Sequence, residues 1–255
     1  ITILYQKAKD GKVKNFVKNN GFKIIEVPNK NKYKLADNFY VTIGQVPFYD
    51  SWSLIELNDK KILNVNDCIL ETPDKIHGIS NHCGKVDILF TQYSYANWVE
   101  GGSYNNSKRI ELANKKLEKI KKQSEILCPE FIVPFASMIR FCHEENKYMN
   151  DSINTPRKTV EFINSNTSSK AFLMKPYETW NGKDYKNNDD SMLYWDKAYE
   201  AALKRNLIRQ EKFYNRKEIL EVYEKMIIRV KDKNNLTIIK ILSLFSIIPA
   251  LKIKI

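Results

Sequence analysis

The stretch FYDSWSLIELNDKKILNVNDC, residues 48–68, decides the fold class. Two runs in it, SWSLIELN and KKILNVNDCIL, are rich in β-formers, the signature of half-buried strands. Asn58-Asp59-Lys60-Lys61 joins them as a hairpin turn, although no glycine supplies the usual signal. The second run closes on Asn64-Val65-Asn66-Asp67-Cys68, which leaves an acid at the C-terminal end of a strand. Asp67 there can hold a metal or a substrate hydroxyl, and it can equally belong to an Asx turn leaving the strand.

Upstream, ITILYQ, FKIIEVP and FYVTIGQVPFY read as strands. KVKNFVKNNG reads as a short amphipathic helix with Val13, Phe16 and Val17 on one face and Gly21 as its stop. Downstream, VDILFTQYS is nearly continuous in apolar residues, as a buried strand is, and it opens into hydroxyls, amides and aromatics. Gln92, Tyr93, Asn97 and Trp98 in that opening suit a sugar or nucleotide, since amides bond ring hydroxyls and aromatic faces cover apolar edges. The same aromatics can simply cap the core. After Gly101-Gly102 a long helix is predicted over residues 107–127, with Ile110, Ala113, Leu117, Ile120 and Leu127 on one face. FIVPF follows as a short strand broken by Pro134, TPRKTVEFINSN as a helix capped by Thr155, and AFLMKPYETW as a strand running into a turn. From about Asp190 the pattern is helical: SMLYWDKAYEAALKRNLIRQ, RKEILEVYEKMIIRVKDK and LTIIKILSLFSII, ending in the strand LKIKI. The expected division is an α/β domain over residues 1–185 and a helical extension over 186–255.

Composition narrows the function classes. With 42 Lys+Arg against 30 Asp+Glu the net charge is +12, but only 7 of the cations are Arg, and Asn reaches 26. A Lys- and Asn-rich surface tolerates an anionic substrate without declaring a nucleic-acid interface, which calls for an Arg-rich stripe with interleaved aromatics. Cys68, Cys83, Cys128 and Cys142 stand at wide spacings with no CxxC pair, as reduced thiols of a cytoplasmic protein do. The apolar stretch 236–251 is interrupted by Lys240 and Pro249 and is too short to span a bilayer. His143, beside Glu144 and Glu145, is a candidate metal ligand or general base, with a surface ion pair as the alternative. His77, His82 and Cys83 sit in a segment, HGISNHCG, that reads as a loop, and a zinc site there lacks further ligands at normal spacing. The chain carries no HxHxDH, GxSxG, P-loop or GxGxxG motif.

Three segments together, residues 48–68, VDILFTQYSYANW (86–98) and FIVPFASMIRFCHEENKYMND (131–151), resemble the second half of a metallo-β-lactamase-fold protein. The resemblance covers roughly residues 1–180. It is nearest to the branch of CMP-N-acetylneuraminate hydroxylase and bacterial sugar-nucleotide hydroxylases, with a looser likeness to the N-acylphosphatidylethanolamine phospholipase D and lactonase branch. It implies an α/β fold, a partial four-layer αββα sandwich, with a divalent zinc, iron or manganese centre at one edge of the sheets. Asp67 matches the family's metal-binding acid. The histidine expected before the DSW strand is absent from Gly44-Gln45-Val46-Pro47, and the nearest histidine after Pro134 is His143. With the HxHxDH segment expected to precede Ile1, this chain alone should lack a complete metal centre. The Rieske module of the hydroxylase relatives has no counterpart in its Cys and His residues. The implied activity is that of a metal-dependent hydrolase or oxygenase-type enzyme fragment acting on a sugar nucleotide or similar anion. Asp67 and His143 would be its metal and catalytic residues, and Gln92, Tyr93, Asn97 and Trp98 its substrate contacts. The alternatives are a non-catalytic binding or assembly module of the same fold and a nucleic-acid-processing protein.

Overall fold

A computed structural model describes residues 1–47, 50–99, 104–135, 137–182, 185, 188–209 and 214–233. The residues form two compact units, 1–208 and 209–255. In the first, β1 (Thr2–Gln6), α1 (Lys12–Asn19) and β2 (Lys23–Val27) make a two-stranded parallel sheet with its connecting helix. β3 (Lys32–Ala36), β4 (Phe39–Gln45), β5 (Ser51–Leu57), β6 (Lys60–Asn66), β7 (Ile88–Gln92), β8 (Phe131–Phe135) and β9 (Lys170–Ala171) make a seven-stranded sheet in sequential order. Pairing is antiparallel from β3 to β6 and parallel from β6 to β9. The parallel part needs crossovers, supplied by α2 (Pro73–Cys83), α3 (Asn106–Leu127) and α4 (Pro156–Asn166). α5 (Asn188–Leu203) packs on α4. The fold is therefore mixed α/β, as the alternation of strands and helices predicts.

Period-two alternation sorts the sheet's two faces. Trp52, Leu54, Leu63, Val65, Leu89 and Ile132 share a buried cluster with Ile76 and Ile79 of α2, Ile120 of α3 and Ile163 of α4. Each such side chain, fully buried, contributes about 1.5–3 kcal/mol. The opposite face carries Ile88, Phe131, Val133 and Phe172, covered by Trp180 and Tyr185. Tyr185 stacks on Phe172 at 4.3 Å between ring centroids. Gly44 lies directly across from Trp52 in the β4–β5 ladder, and a Cβ added to Gly44 would fall 2.0 Å from the indole ring. Only glycine admits that ring.

Several local expectations are corrected. The hairpin turn between β5 and β6 is the two residues Asn58-Asp59, because Leu57 pairs with Lys60; Asn58 takes the left-handed φ of 54° that asparagine tolerates without glycine. Residues 77–83 are not a loop but most of α2, which Gly84 caps and whose buried Ile76, Ile79 and Cys83 recur at helical spacing. β3 was not anticipated: it is a mostly exposed edge strand of alternating lysines, which blunts edge-to-edge pairing. Val17 is buried on α1, yet Phe16 is 69% exposed, and on α3 Ile110 is 48% exposed while Ala113, Leu117, Ile120 and Leu127 are buried. β8 continues through Pro134, which lies beyond the last β8–β9 pair, and the strand expected over 171–180 shrinks to β9. Thr155 caps α4 as expected, accepting from the Lys158 N–H at 3.3 Å.

The second unit contains α6 (Arg216–Lys233). It opens with a capping box in which the Asn215 side chain accepts from the Glu218 N–H and the Glu218 carboxylate accepts from the Asn215 N–H. The expected helix LTIIKILSLFSII and strand LKIKI lie outside the described residues. Among the described residues no helix is long and apolar enough to cross a membrane.

Candidate functional site

The parallel strands β6, β7 and β8 all end at one edge of the sheet, where open α/β sheets place their ligands. Two clefts lie along it. The first, of about 400 Å³, is walled by Phe90, Tyr93, Phe135 and Trp195, with Ser137 and Lys175 as polar members. Its lining comes from the C-terminal ends of β7 and β8, the segment after β9, and α5. The second, of about 470 Å³, lies between α3 and the loops after β6 and β7.

The buried Ser137 ties the first cleft together. Its hydroxyl oxygen accepts the Tyr93 N–H at 2.9 Å and the Ser94 N–H at 3.2 Å, and its carbonyl accepts the Tyr199 hydroxyl at 3.2 Å. One residue after β8 thus fixes the loop after β7 and anchors α5. Asn154 adds a second clamp, donating to the carbonyls of Tyr93 and Ala113 at 2.8 and 2.7 Å. The Tyr93 phenol is pushed far above its ordinary range, by burial first, then by the charge of a Tyr199 phenolate and by the hydrogen bond between the two phenols. It stays neutral and acts as a wall and a donor, not as a base.

The residues singled out from the sequence do not form one constellation. Asp67 follows the last residue of β6 and is exposed, and its Oδ1 accepts from the Asn66 side chain at 2.8 Å. The neighbouring Asn66 N–H is held by Asn64 Oδ1 at 2.9 Å, and Asn66 takes a φ of 43°. Cys68 is buried, and burial followed by the Asp50 carboxylate pushes its thiol strongly up, so it remains protonated. His143 lies eight residues past β8, its backbone bridged to Ile208 and its N–H donated to Asn146. Tyr93 lines the first cleft and Asn97 the second, whereas Gln92 and the 62% exposed Trp98 line neither. Among the described residues no three His, Cys, Asp or Glu side chains converge in a way that could hold a metal. The donors present among the described residues do not fit a complete metal centre.

Sequence reasoning missed Ser137 as the organising residue, Trp195 as a cleft wall and Lys119 in the second cleft. The position of Ser137 just past a buried strand was the available signal. A half-buried ion pair was missed as well. Arg109 donates to Asp151 twice, Nε to Oδ1 at 3.1 Å and Nη2 to Oδ2 at 2.7 Å, with the guanidinium 5.0 Å from the Tyr148 ring centroid. It joins α3 to the segment between β8 and α4.

No family model matches the sequence, and no curated protein matches it. Solved structures do. A point mutant of CmlA β-hydroxylase is similar over 68% of this chain and 38% of its own, at 12% identity and a TM-score of 0.49. CmlA itself, a diiron β-hydroxylase from Streptomyces venezuelae, is similar over 82% and 38%, at 10% identity and a TM-score of 0.41. The metallo-β-lactamase-fold protein YhfI from Bacillus subtilis is similar over 71% and 65%, at 9% identity and a TM-score of 0.47. The chain spans well under half the length of the hydroxylase. Every one of these scores is below one half.

Proposed function

We propose that this chain is the substrate-binding part of a metal-dependent enzyme of metallo-β-lactamase type, a hydrolase or oxygenase, with its substrate in the cleft at the C-terminal edge of β7, β8 and β9. The observation that carries the reading is that cleft: concave, about 400 Å³, mostly apolar, and organised by one buried serine. The Tyr93, Phe135 and Trp195 rings would cover the face of a sugar or base, and the Lys175 ammonium would meet an anionic group. A sugar nucleotide or a similar anion has both parts.

In this reading Asp67, with a carboxylate exposed at the end of β6, is the acid offered to a metal. A bound metal would supply Lewis acidity or activate water or oxygen. The chain's own residues would orient the substrate and keep water from its apolar face. The non-catalytic reading, a binding module of the same fold, is favoured by the absence of a converging donor set among the described residues. Metal analysis of the protein with all its encoded residues separates the two. The enzyme reading expects stoichiometric iron, zinc or manganese that falls at least about tenfold in Asp67→Ala, the scale on which lost metal-site interactions register. Metal-free wild-type protein supports the binding module. Unchanged metal in the variant removes Asp67 from the centre.

A further inference from the structure

The second cleft has an unusual lining. Lys115, Lys116, Lys119 and Lys122 of α3 face it at helical spacing, against Glu71 after β6 and Glu118. Tyr95 and Asn97, from the loop after β7, complete it, and the Tyr95 hydroxyl is already donated to the Met149 carbonyl at 2.8 Å. Lys115 is held by Glu111 at 2.6 Å. Lys119 is different. It is only 4% exposed, and among the described residues it makes no hydrogen bond and no ion pair.

A lysine whose side chain is this deeply set ordinarily has its ammonium paired, and here the ammonium is presented to the cleft. Burial, followed by the Lys116 charge, pulls the Lys119 amine down to about 8, and the carboxylates of Glu71 and Asp67 only partly oppose this. Among the described residues no group hydrogen-bonds this amine, which lines an open cleft, so its partner is one that enters the cleft. A small anion carrying several acceptor oxygens satisfies the three N–H bonds of the ammonium and meets three more lysines around the rim.

We propose that the cleft between α3 and the loops after β6 and β7 binds a phosphate-bearing small molecule, with Lys119 as its buried anchor. This site shares no lining residue with the cleft walled by Phe90 and Trp195 and stands independently of what that cleft binds. Four lysines against two glutamates set the preference for an anion, and Asn97 is placed to accept or donate at its edge. Free inorganic phosphates and nucleotides share the recognised chemistry.

Isothermal titration calorimetry in a polyanion-free buffer, with inorganic pyrophosphate and with UDP, tests the site. Wild-type protein is expected to bind pyrophosphate. Lys119→Met is expected to weaken it at least about tenfold, the loss that follows from removing hydrogen bonds to a charged group. Lys116→Met should weaken it severalfold, and Glu71→Gln, which removes an opposing carboxylate, should tighten it. Lys85→Met, at an exposed lysine outside the cleft, should leave it unchanged. Equal binding of pyrophosphate and UDP assigns recognition to the phosphates alone, and tighter UDP adds a nucleoside contact. The proposal is overturned if wild-type protein binds neither probe, or binds UDP without pyrophosphate. It is also overturned if Lys85→Met costs as much as Lys119→Met, or if Lys119→Met binds as wild type.

Discussion

Replacing Lys119 by Met should make this protein more stable. The side chain's aliphatic stem is packed, its ammonium has no partner among the described residues, and Met keeps the stem while removing the charge. The amine sits at about 8 in the fold, against 10.5 ordinarily. At about 1.4 kcal/mol for each tenfold change in proton affinity, the folded state bears a cost of roughly 3 kcal/mol for holding the charge. The sign follows from proton binding. Below about pH 8 both the folded and unfolded chains are protonated at Lys119 and the full cost is present. Between about 8 and 10.5 the unfolded chain binds more protons, so wild-type stability rises with pH and the cost disappears. Lys119→Met has no such proton. Urea unfolding of both proteins at pH 7 and pH 9.5, without phosphate, should show the variant ahead by about 2–3 kcal/mol at pH 7 and by much less at pH 9.5. A variant less stable than wild type at pH 7, or a gap that does not change with pH, refutes the reasoning. The same substitution that stabilises the fold abolishes the anion anchor, so loss of pyrophosphate binding cannot be blamed on unfolding.

Three further outcomes follow from the packing. Gly44→Ala drives a methyl into the Trp52 ring and should cost about 1–3 kcal/mol, read as a lowered melting temperature with altered tryptophan fluorescence. A wild-type melting curve would show that the ring moves aside freely. Asp151→Ala leaves the buried Arg109 guanidinium without its carboxylate. Because Asp151 is itself 39% exposed and water screens the pair, the loss should fall near the lower end of the usual range, about 3 kcal/mol by denaturant titration. The Arg109 hydrogen bond holds the Asp151 carboxyl below its ordinary range, so this contribution is present at neutral pH and is lost on acidification below about 4. Iodoacetamide at pH 8 should label the exposed Cys128 in the native protein. Cys68 and Cys83 should react only after unfolding, since both are buried and burial raises the Cys83 thiol to about 11. Native labelling at Cys83, read by peptide mass spectrometry, would contradict the packing of α2 on the sheet.

The strands were legible because their chemistry is local. Leu63, Val65, Leu89 and Ile132 project to one face while Ile62, Ile88, Phe131 and Val133 project to the other, and period two is visible without a structure. α2 was hidden because Gly78, Ser80 and Asn81 dilute its helical pattern, although Ile76, Ile79 and Cys83 kept the spacing that packing requires. β3 was hidden because an edge strand needs no apolar face. The candidate site was less legible than the fold. Tyr93 could be read from a buried strand opening into polar residues, but Ser137 acts through two backbone amides that lie more than forty positions away in sequence. Lys119 stands in KKLEKIKK, which reads as a solvated helix face. Only the burial of that side chain in the folded unit separates Lys119 from its neighbours.

The proposed substrate site is the cleft at the C-terminal edge of β7, β8 and β9. Met138 and Met174 line it, while Met226 belongs to α6 in the second unit. Titrating UDP-glucose into protein labelled with ¹³C at the methionine methyls should shift Met138 and Met174 and leave Met226 in place, and Met138→Trp, which fills the cleft, should abolish the shifts. Saturating UDP-glucose that moves neither Met138 nor Met174, or moves them equally in the filled variant, would contradict a substrate site there.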